Sequence, residues 1–207
     1  MIPHRRKGLV HKLFMPYVGY RLRKDFNKFE YNKIDILPDH SILLLCNHFS
    51  WWDGFWAGQL THIYLDRKFY IMMQEDHLQQ RMFFNLVGGF SINRQSKEVV
   101  QSLQYAADLL SDPENLVTVF PQGALVSNHA TEIDIERGIA YIVKKIKGKC
   151  QIIYYSALID YFESLKPSVY LHLTHCGTNY DFDYDKLKQH INAHHKQALI
   201  DQVNVDH

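Results

Sequence analysis

Cysteine and long hydrophobic runs are both scarce in this chain of 207 residues. Its three cysteines, Cys46, Cys150 and Cys176, are widely spaced and form no CxxC pair, which argues against a disulfide framework or a zinc site. The longest compact apolar run, 42–46, is far shorter than the roughly 20 residues of a membrane-spanning helix. The first residues also lack the apolar core of a signal peptide, so we expect a cytosolic chain.

Acidic residues are absent from positions 1–24, where seven basic residues occur. The net charge of +1 therefore combines a strongly basic segment with an acidic body. Aromatic and aliphatic residues lie between the basic ones, a pattern typical of helices that lie on an anionic membrane surface. We predict that residues 1–32 form a basic amphipathic membrane-docking segment, divided by Pro16 and Gly19 into two short helices.

Two other interpretations of this segment remain open. The helix could pack on the domain and expose only its basic face to water. A nucleic-acid-binding arm is less favoured, because the body is acidic and contains no nucleic-acid-binding motif. We therefore expect no nucleic-acid partner.

The rest of the chain alternates between strand-like and helix-like patterns. Apolar runs predict strands at 41–46, 68–73, 116–120, 151–158 and 168–175. Helical periodicity and helix-ending residues predict helices at 51–64, 75–87, 96–111, 135–147 and 184–202. Residues 33–207 are thus predicted to form one α/β domain, with a mixed, largely buried sheet flanked by helices.

A histidine and an aspartate lie where the first of these strands passes into a helix. His48 follows the strand, and Asp53 falls in the first turn of the helix expected to start near residue 51. A carboxylate bonded to an imidazole fixes its tautomer and stabilises its protonated form, so His48 could act as a general base. No serine or cysteine in a GxSxG-type setting accompanies the pair, so the base would activate a hydroxyl or amine of the substrate. Alternatively, Ser50 and Asp53 form only a helix-capping box.

The segment NHFSWWD, at 47–53, resembles the NHxSxxD motif of the glycerolipid and lysophospholipid acyltransferase family. GGFSINR at 88–94, VFPQG at 119–123 and the pair Arg137-Gly138 resemble further motifs of that family, in the same order. The resemblance covers roughly residues 35–176 and implies the glycerolipid acyltransferase fold for the domain. The basic N-terminal segment is similar to the membrane-docking helices of the family.

The resemblance implies a reaction. His48 would be the general base and Asp53 its orienting partner, and an acceptor hydroxyl would attack an acyl thioester of acyl-CoA or acyl carrier protein. No metal or other cofactor is implied. The acceptor would be a lysophospholipid or glycerol-phosphate-type lipid, bound at the cytoplasmic face of a membrane with anionic lipids by a peripheral or monotopic protein. The implied substrate-binding residues are Asn47, Ser50, Arg94, Phe120, Pro121, Gln122 and Gly123, of which Asn47 and Ser50 would support the loop geometry.

The third motif departs from the family pattern FPEGTRS. Gln122 replaces the glutamate, Ala124 the threonine, and Leu125 an arginine that would bind phosphate. His129 or Arg137 could supply the missing cation. Otherwise the acceptor is a non-phosphorylated or amino lipid, with O- or N-acylation, or the chain is a non-catalytic lipid-binding protein that keeps the fold.

Aromatic residues and histidines are the other conspicuous features of the sequence. The aromatic residues beside the dyad line either an acyl channel and membrane-facing rim or the core; they are Trp51, Trp52, Phe55 and Trp56. The later histidines are interpreted as surface residues rather than metal ligands; they are His172, His175, His190, His194 and His195.

Overall fold

A computed structural model describes residues 1–95 and 97–205 of the protein. Seven strands form one sheet, ordered β1-β7-β6-β2-β5-β3-β4. The strands are β1 (Phe29–Tyr31), β2 (Ser41–Cys46), β3 (Lys68–Gln74), β4 (Gly89–Ile92), β5 (Asn115–Val119), β6 (Cys150–Asp160) and β7 (Ser168–Thr178). Only β6 and β7 pair antiparallel to each other, and every other pairing of the sheet is parallel.

Helices cover both faces of this sheet. They are α1 (Gly8–Asp25), α2 (Asp53–Leu60), α3 (Glu75–Gln80), α4 (Phe83–Leu86), α5 (Val99–Leu109), α6 (Gly138–Lys145) and α7 (Tyr184–Val203), and a π-helical turn, Thr61–Leu65, follows α2. One core cluster packs α1 and α2 on the sheet, and the other packs α5, α6 and α7 on the opposite face. The predicted mixed α/β architecture is confirmed.

The predicted elements need several corrections. Strands β1 and β4 were not predicted, because runs of three and four residues are too short to show a strand period. The predicted helix 75–87 consists of the two short helices α3 and α4. The predicted helix 96–111 begins at Val99 in the structure, and Ser96 lies outside the described residues, as do positions 206–207 of the predicted domain.

Helix α1 is one continuous helix of 18 residues, so the prediction of two short helices is wrong. Met15, Val18 and Leu22 are all buried in the cluster that α1 shares with α2. Burying three such side chains contributes roughly 1.5–3 kcal/mol each, more together than the ~3 kcal/mol that an interior proline costs. Packing therefore keeps the helix continuous through Pro16.

The basic segment is structurally part of the domain. Strand β1 pairs with β7, and the backbone of Ile2 accepts a hydrogen bond of 2.9 Å from the backbone N–H of Ser91 on β4. This second contact covers an edge of the sheet that would otherwise present unpaired backbone groups. The basic segment 1–32 thus covers one edge of the sheet with Ile2 and forms the strand at the other edge with β1.

Histidine His11 of α1 makes folding sensitive to pH. Burial lowers the pKa of His11 to about 4, whereas the unfolded chain has a histidine pKa near 6.5. Between these values the unfolded chain binds a proton that the folded chain does not, so the free energy of unfolding falls as the pH falls. We expect thermal unfolding midpoints measured from pH 7 to pH 4.5 to fall less steeply in His11→Gln than in the parent chain.

The matched control for this measurement is His129→Gln, because His129 lies exposed on a loop. This control should keep the pH dependence of the parent. An identical pH dependence in His11→Gln and the parent would contradict the assignment.

Candidate active site

The first and third motifs lie side by side because of the strand order. Strand β2 is fully buried in the sheet centre and pairs in parallel with β5, with Leu45 opposite Val119. The loops after the two strands, which contain His48 and Phe120, therefore emerge at the same edge of the sheet. In parallel sheets this edge is where ligands bind.

His48 and Asp53 form the predicted dyad. The Nδ1 of His48 lies 2.7 Å from Oδ2 of Asp53, which also accepts hydrogen bonds of 2.9 Å from the backbone N–H groups of Phe49 and Ser50. Burial raises the pKa of the Asp53 carboxyl, and the hydrogen bonds from His48 and Ser50 oppose that rise. Because a carboxylate accepts, Nδ1 carries the proton, and Nε2 is the nitrogen that can act as a base.

Ser50 and Asp53 make hydrogen bonds like those of the predicted capping box, but α2 begins at Asp53 and Trp52 occupies its N-cap position, so Ser50 is not the N-cap. The hydroxyl of Ser50 accepts a hydrogen bond of 3.1 Å from the backbone N–H of Trp52, while the Asp53 carboxylate reaches back to the Ser50 N–H. Asp53 is also the first residue of α2, where the helix dipole favours a negative charge. One carboxylate thus fixes the turn that leads into α2 and orients the imidazole.

The third motif holds His48 through its backbone. The Gln122 side-chain oxygen accepts a hydrogen bond of 2.9 Å from the His48 N–H, and the His48 carbonyl accepts one of 2.8 Å from the Val126 N–H. The rings of His48 and Phe120 stack with centroids 3.9 Å apart. The side chain of Asn47 bonds to both backbone groups of Ala157, at 2.7 and 3.0 Å. Asn47 and Gln122 therefore position the loop that contains His48.

A cavity of about 500 Å³ lies beside His48. Its wall brings together His48 and four of the predicted substrate-binding residues, namely Arg94, Phe120, Pro121 and Gly123. The predicted substrate-binding residues Asn47, Ser50 and Gln122 instead bond to backbone groups, as described above. Most of the remaining wall is apolar and comes from β3, α5 and α6.

Sequence reasoning missed three polar residues of this wall, Gln74, His77 and Glu136. Gln74 is the last residue of β3, and His77 lies three residues after it. Because β3 is parallel to β5, both strands end at the same edge of the sheet, and this was the signal for Gln74 and His77. Glu136 directly precedes the Arg137-Gly138 pair. Its position next to a residue of that motif was the signal that could have placed it near the site.

Arg94 is bound to protein groups on both sides. One guanidinium nitrogen donates to the carbonyl of Gly123 at 2.8 Å, and the other forms an ion pair with Glu136. Gly123 has a φ of +65°, which strains any other residue, and a Cβ there would lie 2.6 Å from the Arg94 guanidinium and would displace it. Leu125, in place of the family arginine, is exposed in the cavity wall.

The cations suggested as replacements lie elsewhere. The Arg137 guanidinium lies over the Tyr184 ring, 5.9 Å from its centroid, and His129 is on an exposed part of the loop. Neither belongs to the cavity wall that the described residues form. The third motif therefore lacks the expected phosphate-binding cation, and neither Arg137 nor His129 replaces it in the cavity wall.

A smaller cavity of about 70 Å³ lies between α1, α2 and β3. It is almost entirely apolar and shares Trp51, Gly54, Ile71 and Met73 with the wall of the larger cavity. Phe55 also lines it, whereas Trp56 is fully buried in the core. The aromatic cluster thus divides between a cavity wall and the core.

His195 is buried, so its interpretation as a surface residue is wrong. It lies on the inner face of α7, with Nδ1 2.8 Å from the Ser156 hydroxyl and Nε2 2.9 Å from the Ala130 carbonyl. Burial lowers its pKa. The carbonyl can only accept, so Nε2 donates to it, and the neutral ring ties α7 to the loop that follows the third motif. In the described part of the chain, no group of three or more histidine, cysteine or acidic residues is arranged to hold a metal ion.

Comparison with known protein families agrees with this geometry. A family model described as Acyltransferase matches residues 28–156, which is more than half of the chain and includes both members of the dyad. The chain belongs to this acyltransferase family. No curated protein matched the sequence.

A solved structure shares the fold. It is the 1-acyl-sn-glycerophosphate (LPA) acyltransferase, PlsC, from Thermotoga maritima, with a TM-score of 0.67 and 14% sequence identity. The match covers 95% of this chain and 81% of that chain. The arrangement of sheet and helices is therefore that of the PlsC fold.

Proposed function

We propose that this protein transfers a fatty acyl group from an acyl thioester to a hydroxyl group of a lipid acceptor. The observation on which this rests is the Asp53-oriented imidazole of His48 in the wall of a largely apolar cavity. The donor would be acyl-CoA or acyl carrier protein, and no further cofactor takes part. The structurally similar Thermotoga maritima enzyme is named a 1-acyl-sn-glycerophosphate acyltransferase, and this supports a glycerolipid acceptor.

In this proposal His48 acts first as a base and then as an acid. Nε2 takes the proton of the acceptor hydroxyl as the hydroxyl oxygen attacks the thioester carbonyl, giving a tetrahedral intermediate. The C–S bond then breaks, and the imidazolium returns its proton to the leaving thiolate. Asp53 stabilises the imidazolium between these steps. The start of α2 has Gly54 in the cavity wall, and in this proposal the positive end of its helix dipole would stabilise the developing oxyanion.

Part of the acyl chain of the donor would occupy the smaller, apolar cavity of about 70 Å³. That cavity lies against the catalytic one, because Trp51, Gly54 and Ile71 belong to the walls of both. Its wall offers apolar side chains from α1 and α2 and almost no polar surface. An alkyl chain is the ligand chemistry that such a lining suits.

The outer face of α1 supports docking on a membrane. Leu9, Leu13, Tyr17 and Tyr20 form an exposed stripe at helical spacing, opposite the face that packs on α2. Phe83 on α4 is also exposed and lies beside α1, with its ring 5.1 Å from that of Phe14. Basic residues flank the stripe. Among the described residues, no helix is both long and apolar enough to cross a membrane. The protein would thus bind anionic lipids as a peripheral or monotopic protein of the cytoplasmic face.

The dyad predicts a specific loss of turnover. We expect His48→Ala to lower the rate of acyl transfer from radiolabelled acyl-CoA by about 10²–10⁴-fold, because the general base is lost. Binding of acyl-CoA, measured by calorimetry, should persist. His129→Ala is the control, because this exposed histidine lies outside the cavity wall. Equal turnover in His48→Ala and the parent would show that His48 is not the base. Absence of turnover in both would leave a lipid-binding protein without this catalysis.

The exposed stripe predicts a loss of vesicle binding. We expect the double variant Leu9→Ser, Leu13→Ser to bind anionic vesicles at least about tenfold more weakly in a sedimentation assay, because two inserted side chains are lost. Both residues are exposed, so folding should be unaffected. The matched control is Leu165→Ser, which removes a fully exposed leucine that is not part of the stripe. Undiminished binding of the double variant to anionic vesicles would show that another surface of the protein binds the membrane.

A further inference from the structure

We infer that the acceptor of this site has an uncharged, hydroxyl-bearing head group, such as a glycerol or sugar, and no phosphate monoester. This inference rests on the proposed acyl transfer and deepens it. Its basis is the ion pair between Arg94 and Glu136 in the wall of the catalytic cavity. That pair links residues 42 positions apart in the sequence, on the segments that lead into α5 and α6.

Glu136 neutralises the cation that would otherwise attract a phosphate. Arg94 donates to Glu136 and to the Gly123 carbonyl, so two of its nitrogens are already engaged by protein oxygens. A phosphate dianion reaching Arg94 would have to displace the Glu136 carboxylate or lie next to it. At such short range the negative charges of the phosphate and of Glu136 repel each other. The Arg94–Glu136 pair has no net positive charge that would offset this repulsion.

The rest of the described cavity wall supplies no replacement for this charge. Leu125 is the residue at the other position where the family pattern has an arginine. The two histidines of the wall are His48, which is bonded to Asp53, and His77. Among the described residues of this wall, Arg94 is the only lysine or arginine and Glu136 the only aspartate or glutamate, so their charges cancel. An electroneutral cavity suits an uncharged head group.

Hydroxyl groups match the hydrogen-bonding capacity that remains. The second oxygen of Glu136 can accept, the remaining N–H groups of Arg94 can donate, and the Gln74 amide in the wall can do both. A hydroxyl also donates and accepts, so neighbouring hydroxyls can bridge the ion pair without separating it. An ammonium gains little here, because Arg94 already occupies the carboxylate that would attract it.

The test compares acceptors that have the same acyl chain and different head groups. The panel is a monoacylglycerol, an alkyl glucoside, lysophosphatidate and a long-chain amine, each assayed with the same radiolabelled acyl-CoA. We expect kcat/KM for the better of the two uncharged acceptors to exceed that for lysophosphatidate by at least about tenfold. Preference for lysophosphatidate or for the amine would overturn the inference.

Two substitutions change the charge of the cavity directly. Glu136→Gln frees Arg94, and Leu125→Arg adds the missing cation, so each should raise the ratio of lysophosphatidate to monoacylglycerol activity by about tenfold. The matched control is Glu132→Gln, which removes an exposed carboxylate that pairs with Lys196 on the surface, and it should leave the ratio unchanged. An unchanged ratio in both cavity variants, with folding verified by circular dichroism, would overturn the inference.

Failure of the two proposals can be told apart. Transfer that depends on His48 but favours lysophosphatidate removes only the inference about the head group. Absence of transfer to every acceptor in the panel removes both the proposed function and the inference.

Discussion

The buried carboxylate of Asp53 is the group on which the rest of the site depends. A single oxygen of this carboxylate accepts hydrogen bonds from the His48 ring and from the backbone of Phe49 and Ser50. Such a charge is costly to bury unless it is hydrogen-bonded, and here the bonds come from the loop that contains His48. The hydrogen bonds of this one oxygen therefore determine the conformation of the loop, the turn into α2 and the tautomer of the His48 ring.

A second constraint acts on the same loop from the neighbouring strand. Gln122 and Val126 bond to the two backbone groups of His48, and Phe120 stacks on its ring. Gln122 stands where the family pattern has glutamate, yet the bond that it makes needs only a side-chain oxygen. The substitution therefore preserves the backbone geometry at His48. Leu125 differs in this respect, since it lines the cavity and puts an apolar side chain where the family pattern has a cation.

Local patterns in the sequence sufficed to predict that His48 and Asp53 lie together. His48 and Asp53 are five residues apart, and strand β2 before them is an unbroken apolar run, so their proximity follows from local structure. The order of the motifs then identified the family. The central strands were equally predictable, because buried parallel strands are continuous apolar segments.

Contacts between distant segments were not predictable in the same way. The Arg94–Glu136 pair depends on how the segments before α5 and α6 approach each other, and no periodicity records that. His195 appeared to be a surface residue because its helix is polar, yet the inner face of α7 buries it against Ser156. The continuity of α1 through Pro16 likewise results from packing on α2, which local helix propensity does not include.

The most direct test of this account is the tautomer of His48. Long-range ¹H–¹⁵N correlation spectra of the parent chain, with His48 assigned by comparison with His48→Ala, distinguish the protonated ring nitrogen from the bare one. The hydrogen bond to Asp53 predicts a neutral ring protonated at Nδ1 with Nε2 free to accept a proton. A ring protonated at Nε2 would contradict the role of His48 as the base in acyl transfer.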